Sequence, residues 1–408
     1  MRLSGHGAAV PFVLVTVFLD VLGIGLIVPV LPALVGEFAP SPQAQAWWYG
    51  LLVASYGLMQ FFAGPLLGAL SDRVGRRPVL LVSVFGLAAH FLVLAGAPSL
   101  GWLMFGRLLG GATAATISVA NAYIADVVAP EQRGRGFGLV GATFGLGFIV
   151  GPVAGGLLGD IDLRLPFLVA AALALLNGIY GTFVLPESLA RDRRTPFDLA
   201  RANPFSALRA LAALREVRGF VVAFSLLALS QFILHATWVL VTAARFGWGP
   251  REAGLSLFVV GVASVTMQGV LLGRAIRRFG EQRLAIAGMV SGSLALVIYP
   301  VVPAGWMVYP VILANLVGFA AMPALQATIS RAFDAGRQGL ALGSLNAING
   351  VMTVIAPLVG TALFAQVAHL PSSDPRLGAP FFAAAALQSV AAAIALRRMR
   401  RRDMRSPP

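Results

Sequence analysis

Cysteine and lysine are absent from this sequence of 408 residues, and only 11% of its residues are charged. Without cysteine, the chain has no disulfide framework, thiolate metal site, iron–sulfur cluster or cysteine nucleophile. The four histidines lie too far apart for a metal-ligand spacing, and no Walker loop is present to bind a nucleotide phosphate. A soluble domain usually carries about 25% charged residues. We therefore expect a membrane protein with no metal, no cofactor and no catalytic residues.

Long apolar runs make up most of the chain, because 58% of the residues are hydrophobic. A helix needs about 20 mostly apolar residues to cross a membrane. Twelve such runs, numbered spans 1 to 12, occupy residues 10–34, 47–70, 78–97, 101–124, 136–159, 165–185, 219–242, 253–273, 284–302, 305–328, 339–365 and 378–396. They are too long for the strands of a membrane barrel. The sequence predicts an all-α polytopic membrane protein with twelve transmembrane helices.

The arginines indicate the orientation in the membrane, because cytoplasmic loops carry an excess of positive residues. Of the 30 arginines, 25 lie in the two termini and in alternate loops, all on the same predicted side. We therefore expect both termini to be cytoplasmic. The net charge of +14 is scattered in short clusters, which argues against nucleic acid as a partner.

The two halves of the chain are similar to each other. The segment Gly68–Arg77 returns 205 residues later as Gly273–Gln282. At the same offset, Gly151–Gly155 returns as Ala356–Gly360. A repeat of this length indicates a duplicated unit of six helices.

The duplication predicts the domain organisation. We expect two pseudo-symmetric six-helix halves, residues 1–185 and 219–408, the second ending in a basic tail. A cytoplasmic linker at 186–218, which holds seven arginines, joins them. This arrangement is typical of a transporter that opens a central site to one side at a time.

Four segments resemble the major facilitator superfamily. Gly68–Arg77 matches the signature GxxxDRxGRR of its loop between helices 2 and 3, and Arg107–Gly111 resembles its helix 4 motif. Gly147–Gly156 is similar to the helix 5 motif of the drug:proton antiporters, and Leu19–Pro32 is close to helix 1 of the tetracycline efflux proteins. The resemblance implies a twelve-helix drug:proton antiporter of a bacterial inner membrane, closest to the tetracycline-resistance efflux proteins.

Asp20 lies about ten residues into span 1, near the middle of the bilayer. An ionisable side chain is costly at this depth, so each one is a candidate functional residue. The resemblance assigns the essential acid of helix 1 to this position. We predict that Asp20 and Arg107 couple transport to protons. A permanent ion pair between these two residues, holding span 1 against span 4, is the alternative.

Polar side chains at helical spacing predict the lining of a central substrate cavity. At about 100° per residue, Ser118 and Asn121 return to the face of span 4 that carries Arg107. Polar residues share a face in spans 7 and 11 as well, and spans 2 and 8 each hold a glutamine. The predicted substrate-binding residues are Gln60, Asn121, Gln231, His235, Trp238, Gln268, Asn346 and Asn349. Hydrogen bonding between helices is the alternative role for the polar groups.

The loop between spans 2 and 3 contains the predicted gating residues. They are Gly68, Asp72, Arg73, Gly75, Arg76 and Arg77. Asp72 can pair with arginines or cap a helix and so hold one conformation. The alternative is that the arginines only set the orientation of the loop in the membrane, as the excess of positive residues in cytoplasmic loops does.

The resemblance also assigns an antiporter motif to span 5. Its residues are Gly147, Gly151, Pro152, Gly155 and Gly156. The spacing lays small residues along one helix face, where they let another helix approach closely. We interpret the motif as a packing surface, and its link to antiport comes from the resemblance alone.

Three positions depart from the pattern of the tetracycline efflux proteins. His90 and Gly292 stand where that family has acids, and Ser264 stands where it has a histidine. Asp20 is then the one carboxylate in mid-membrane. A neutral or singly charged aromatic cargo suits one carboxylate, and metal–tetracycline is expected to be a weak substrate.

The sequence therefore predicts a monomeric exporter of small amphipathic drug-like compounds in exchange for protons. Its partners are the substrate, protons and the lipid bilayer. A proton-independent facilitator or an importer of a small metabolite is the alternative within transport. A lipid-handling or scaffold membrane protein is the alternative from a different class.

Overall fold

The computed structural model describes residues 9–197, 218–333 and 338–403, and within these ranges it contains helices and no strand. The first eight helices are α1 (Ala9–Ile27), α2 (Leu31–Gly36), α3 (Pro42–Val74), α4 (Arg76–Ala95), α5 (Leu100–Thr113), α6 (Thr116–Val127), α7 (Arg133–Ile161) and α8 (Leu165–Val184). The next eight are α9 (Arg218–Phe246), α10 (Pro250–Val265), α11 (Leu272–Phe279), α12 (Glu281–Ile298), α13 (Val308–Ala314), α14 (Ala321–Ser330), α15 (Gln338–Val367) and α16 (Ala379–Asp403). A π-helical turn, Thr266–Leu271, joins α10 to α11.

The predicted all-α membrane fold is confirmed. In the described ranges, eleven helices are long and apolar enough to cross a membrane, and one bent pair at 305–330 raises the number to twelve. Large apolar side chains lie on the outside of these helices, including Phe183 (86% exposed) and Ile161 (77% exposed). A lipid environment covers such surfaces without the cost that water would impose.

Span 4 is a broken helix rather than the continuous one predicted. The hydroxyl of Thr113 donates to the carbonyl of Leu109 (3.1 Å), and the N–H of Ala115 turns to the carbonyl of Thr113 (2.9 Å). The regular hydrogen-bond ladder of α5 therefore stops here, and α6 starts afresh at Thr116. The angular argument that linked Arg107 to Asn121 assumed regular helical geometry throughout span 4, so their shared face stays a prediction.

Spans 1 and 10 are also interrupted. Between α1 and α2, Pro29 lacks a backbone donor and cannot continue the helical hydrogen-bond ladder, and the first helix ends at Ile27. Span 10 bends by 55° at Asn315, where α13 gives way to a 3₁₀ turn, Leu316–Ala320. Hydropathy alone predicts neither break, because the residues around both are apolar.

Two glycines at equivalent positions of the internal repeat make tight turns. Gly75 separates α3 from α4 with φ of 113°, and Gly280 separates α11 from α12 with φ of 78°. Residues with a Cβ rarely adopt these angles, so only glycine fits easily at either turn. The two turns occupy equivalent positions in the repeat.

The described chain divides into two compact units. The first comprises residues 9–38, 55–197 and 249–258, and the second comprises 39–54, 218–248, 259–333 and 338–403. Val17, Leu80 and Tyr123 belong to the apolar core of the first unit. Phe224 and Met289 belong to that of the second. The linker at 186–218 stays a prediction, because residues 198–217 lie outside the described part of the chain.

Candidate functional site

Asp20 is the only buried acidic side chain in the described part of the chain, with 9% of its surface exposed. It lies in the middle of α1. Its Oδ1 accepts a hydrogen bond from the hydroxyl of Thr116 at 3.4 Å. Because Thr116 is the first residue of α6, the break in span 4 brings this hydroxyl to the carboxyl group. One long hydrogen bond compensates little for the water that an ionised carboxylate loses on burial.

Arg107 projects from α5 onto the ring of Tyr56 in α3. Its Cζ lies 4.2 Å from the ring centroid, and only 7% of the residue is exposed. A guanidinium above an aromatic face gains cation–π attraction. Tyr56 contacts Arg107 in this way and also interacts electrostatically with Asp20, so α3 contributes to the surroundings of both predicted coupling residues. Sequence reasoning missed Tyr56, whose only signal is its position one helical turn before Gln60.

His90 is fixed beside the same ring. Its imidazole is 1% exposed, and its Nδ1 donates to the carbonyl of Gly106 at 2.6 Å. The ring centroid lies 6.1 Å from that of Tyr56. The buried Nε2 has no hydrogen-bond partner among the described residues. At the position where the resemblance expects an acid, the chain therefore has an imidazole that α5 holds in place.

The other predicted substrate-binding residues occupy different environments. Gln60 and Asn121 in the first unit are half-buried, as are Gln231 and Asn349 in the second, whereas His235, Gln268 and Asn346 are exposed. Gln268 lies in the π-helical turn and donates to the hydroxyl of Ser264 at 2.7 Å. The Oδ1 of Asn349 is buried and has no partner in the described ranges.

Trp238 lies in an aromatic cluster of the second unit. Its ring centroid is 5.1 Å from that of Tyr299, edge to face, and 5.9 Å from that of Phe381. Only 4% of the residue is exposed. Core packing accounts for this burial, and contact with substrate stays a prediction.

Gln388, in α16, is a buried polar residue that sequence reasoning missed. Its side-chain nitrogen donates to the carbonyl of Met289 at 3.0 Å, and its oxygen accepts from the hydroxyl of Ser230 at 3.2 Å. The amide of Gln231 also reaches this oxygen, at 3.5 Å. A Cβ at Gly292 would collide with the nitrogen. The space that a family acid would need at Gly292 is therefore filled by Gln388.

Arg76, in the predicted gating loop, bridges two carboxylates. Its guanidinium lies 2.5 Å from Asp72 and 3.1 Å from Asp126, and only 8% of the residue is exposed. Ser188 also donates to Asp126, at 3.1 Å. Of the predicted loop residues, Arg73 is exposed and is not part of this cluster. Asp126 was missed, because it follows span 4 without any motif around it.

Glu187 caps α4 from a distant part of the chain. Its Oε1 accepts from the N–H of Arg76 at 2.7 Å, and its Oε2 accepts from the N–H of Arg77 at 3.3 Å. These donors are the ones that a helix start leaves without partners, and a negative charge is favoured there. A Cβ at Gly75 would strike the same carboxylate. Gly75 is therefore needed both for the turn and for the cap. At Gly68, an added Cβ would lie 3.6 Å from the hydroxyl oxygen of Ser118 and would meet nothing else within 4 Å.

We propose that the Asp72–Arg76–Asp126 cluster stabilises one conformation of the transport cycle. Arg76→Ala leaves two carboxylates without their shared cation, so the balance between conformations shifts. We expect the turnover rate to fall about tenfold while substrate affinity changes little. Transport in vesicles and equilibrium substrate binding measure the two effects. Arg73→Ala, in the same loop, is the control. Near-normal turnover in Arg76→Ala would leave the loop with a topological role alone.

The glycines of the predicted antiporter motif pack α7 directly against the backbone of α1. A Cβ at Gly147 would lie 3.0 Å from the carbonyl oxygen of Phe18, and one at Gly151 would lie 2.8 Å from the Cα of Gly25. Gly155 meets the backbone of Leu26 in the same way. On another face, Gly156 lies against Pro250 and Gly254 of α10, and Pro152 is buried between these contacts. This geometry agrees with a packing surface.

The sequence matches the family model described as Major Facilitator Superfamily over residues 13–357. The class C tetracycline resistance protein of Escherichia coli is 43% identical over 356 residues, which cover 87% of this chain and 89% of that protein. The class G protein of Vibrio anguillarum is 38% identical, over 87% of this chain and 90% of that protein.

Among solved structures, a bacterial homolog of the human lysosomal transporter Spinster has a TM-score of 0.78. The match covers 99% of both chains at 16% identity, so it is a likeness of fold alone. The family model and the sequence relatives confirm the resemblance inferred from the motifs. The chain therefore belongs to the Major Facilitator Superfamily, a family of transporters and not of enzymes, in the group that includes the tetracycline resistance proteins.

Proposed function

We propose that the protein exports small, amphipathic, drug-like compounds across a bacterial inner membrane in exchange for protons. The observation that carries this proposal is the buried carboxyl of Asp20, in contact with Thr116 at the break between α5 and α6. Interrupted membrane helices are typical of the substrate and ion sites of secondary transporters. The tetracycline resistance proteins similar to this chain support a drug as cargo.

In this proposal, Asp20 takes up and releases the transported proton. Arg107 stabilises the ionised carboxylate between these two steps, and the ring of Tyr56 holds the guanidinium at 4.2 Å. Exchange requires that Asp20 be open to one side of the membrane at a time, with the carboxyl group protonated in one conformation and ionised in the other. The arginine distribution supports cytoplasmic termini, so the proton enters from the opposite side.

Among the predicted substrate contacts, Asn349 and Gln268 have the strongest support. The buried Oδ1 of Asn349 has no partner in the described part of the chain, so a ligand donor can satisfy it. Gln268 is exposed on a π-helical turn, a feature that is frequent at functional sites. Gln60, Asn121, Gln231, His235 and Asn346 stay predictions from the sequence.

One buried carboxylate limits the charge of the cargo. A dication would meet an uncompensated electrostatic cost beside Asp20 and Arg107, whereas a neutral or singly charged aromatic compound would not. We expect inverted vesicles to take up such aromatic drugs when a proton gradient is imposed. A dicationic dye is expected to be transported at least about tenfold more slowly, and tetracycline to be a weak substrate.

The measurement compares a neutral aromatic antibiotic, tetracycline and a dicationic dye in the same vesicles. Proton release on substrate addition, followed with an internal pH dye, reports exchange directly. High-affinity transport of the dication, or of metal–tetracycline above every other compound, would overturn the charge argument. Substrate uptake without proton movement would favour the facilitator.

A further inference from the structure

Three arginines line a small cavity beside the α3–α4 turn. Its volume is about 430 Å³, and its charged lining residues are Arg77, Arg191, Arg194 and Glu187. Three cations face one anion, so the cavity carries an excess of positive charge. Arg191 and Arg194 come from the segment that follows α8, and Arg77 comes from the first turn of α4.

The single carboxylate of this cavity is already occupied. Besides the two α4 donors described above, Oε1 of Glu187 accepts from the N–H of Ser188 (3.0 Å) and from that of Leu189 (3.1 Å). The helix start is likewise satisfied, since Glu187 caps it. The cavity therefore offers its arginines, not its backbone, to a ligand.

Two of the arginines bury a donor that has no acceptor. The Nε atoms of Arg77 and Arg194 are both buried, and neither has a hydrogen-bond partner among the described residues. The Nη2 of Arg77 donates to the carbonyl of Thr182 at 2.5 Å. This hydrogen bond fixes the guanidinium at the cavity wall. A buried guanidinium N–H without an acceptor is unfavourable, and an anion that accepted from these groups would remove that cost.

At the equivalent turn of the internal repeat, an exposed arginine has an acidic partner within the chain. There, a cavity of about 390 Å³ is lined by Glu281, Arg283 and Arg331. Glu281 lies 3.0 Å from Arg331 and supplies the acceptor. The cavity beside Gly75 has no acid free for this purpose in the described ranges, because Glu187 is turned to the helix start.

We propose that the cavity formed by Arg77, Arg191 and Arg194 binds a phosphate group, supplied by an anionic phospholipid headgroup. Phosphate has enough oxygens to accept from several guanidinium groups at once, which is why arginine clusters recognise it. The apolar surface beside the cavity favours a lipid source: Phe183 directly follows Thr182 and is 86% exposed, and Tyr180 is 53% exposed. Acyl chains can cover these rings while the headgroup occupies the cavity.

The test is a lipid titration of the purified full chain, with bound lipid counted by native mass spectrometry. Phosphatidylglycerol is compared with a diacyl glycolipid of the same chain length that lacks phosphate. We expect Arg77→Gln and Arg194→Gln each to raise the half-saturating concentration of phosphatidylglycerol about tenfold. Arg193→Gln is the matched control, because Arg193 is exposed in the same segment and does not line the cavity.

Inorganic phosphate separates the two sources of the ligand. If inorganic phosphate displaces the lipid, and lipid binding is weakened in Arg77→Gln and Arg194→Gln, the cavity recognises the phosphate group of the lipid. If phosphate binds through these residues and phosphatidylglycerol does not, the lipid source is wrong. Equal binding of the glycolipid, or equal loss in Arg193→Gln, overturns the site. Should Arg77→Gln fail to fold, Arg194→Gln and Arg191→Gln, both outside the α-helices, still decide the question.

Discussion

Asp20→Asn is expected to abolish export against a concentration gradient while leaving the protein folded. Asparagine has nearly the shape of aspartate and can still accept from Thr116, so packing at the centre of α1 is conserved. It cannot bind and release a proton, so cargo movement loses its coupling to the proton gradient. We expect gradient-driven uptake into inverted vesicles to fall to the level of vesicles without the protein.

Two further variants separate coupling from a structural role. Thr116→Val removes the hydroxyl but keeps the acid, and we expect it to retain coupled transport with a changed pH profile. Asp160→Asn removes an exposed acid near the end of α7 and serves as the control. Downhill exchange that survives in Asp20→Asn would support the coupling role. Full gradient-driven export by Asp20→Asn would contradict it, and loss of folded protein would favour the ion-pair alternative.

The membrane helices are predictable from the sequence because lipid exposure makes them apolar over their whole length. Residues 165–185 are predicted as a span, and α8 runs from Leu165 to Val184. The same cost of burying charge makes Asp20 stand out in span 1. Both features depend on local composition, which a single sequence contains.

The helix breaks and the polar clusters are not predictable in this way. The break at Thr113 depends on two local hydrogen bonds, from the Thr113 hydroxyl and from the N–H of Ala115. The residues around the break are apolar and give no signal of it. Glu187 caps a helix that starts 111 residues earlier, and nothing in its local sequence indicates this partner. Gln388 likewise fills the space above Gly292 from another helix. Such contacts are set by tertiary packing, which periodicity does not reveal.

Gly155→Ala tests whether the antiporter motif of α7 is a packing surface. A Cβ at this position would lie 2.7 Å from the Cα of Leu26 and 2.9 Å from its carbonyl carbon, both in the backbone of α1. Backbone atoms cannot rotate away as a side chain can, so the two helices must separate. Overpacking of this kind costs about 1–3 kcal/mol. For Gly155→Ala we expect a lower midpoint of thermal aggregation and less folded protein. Gly155→Leu is expected to give no folded protein.

Gly141→Ala, about four turns earlier in the same helix, is the matched control. Gly141 is exposed, and its missing Cβ would meet nothing within 4 Å. Alanine is the better helix former by about 1 kcal/mol, so this variant is expected to be as stable as the parent or more so. Equal midpoints for the two alanine variants would contradict the packing role. A Gly155→Ala protein could instead keep its thermal midpoint but take up cargo without moving protons. The substitution would then affect coupling and not the α1–α7 contact, which would give the motif a direct part in antiport.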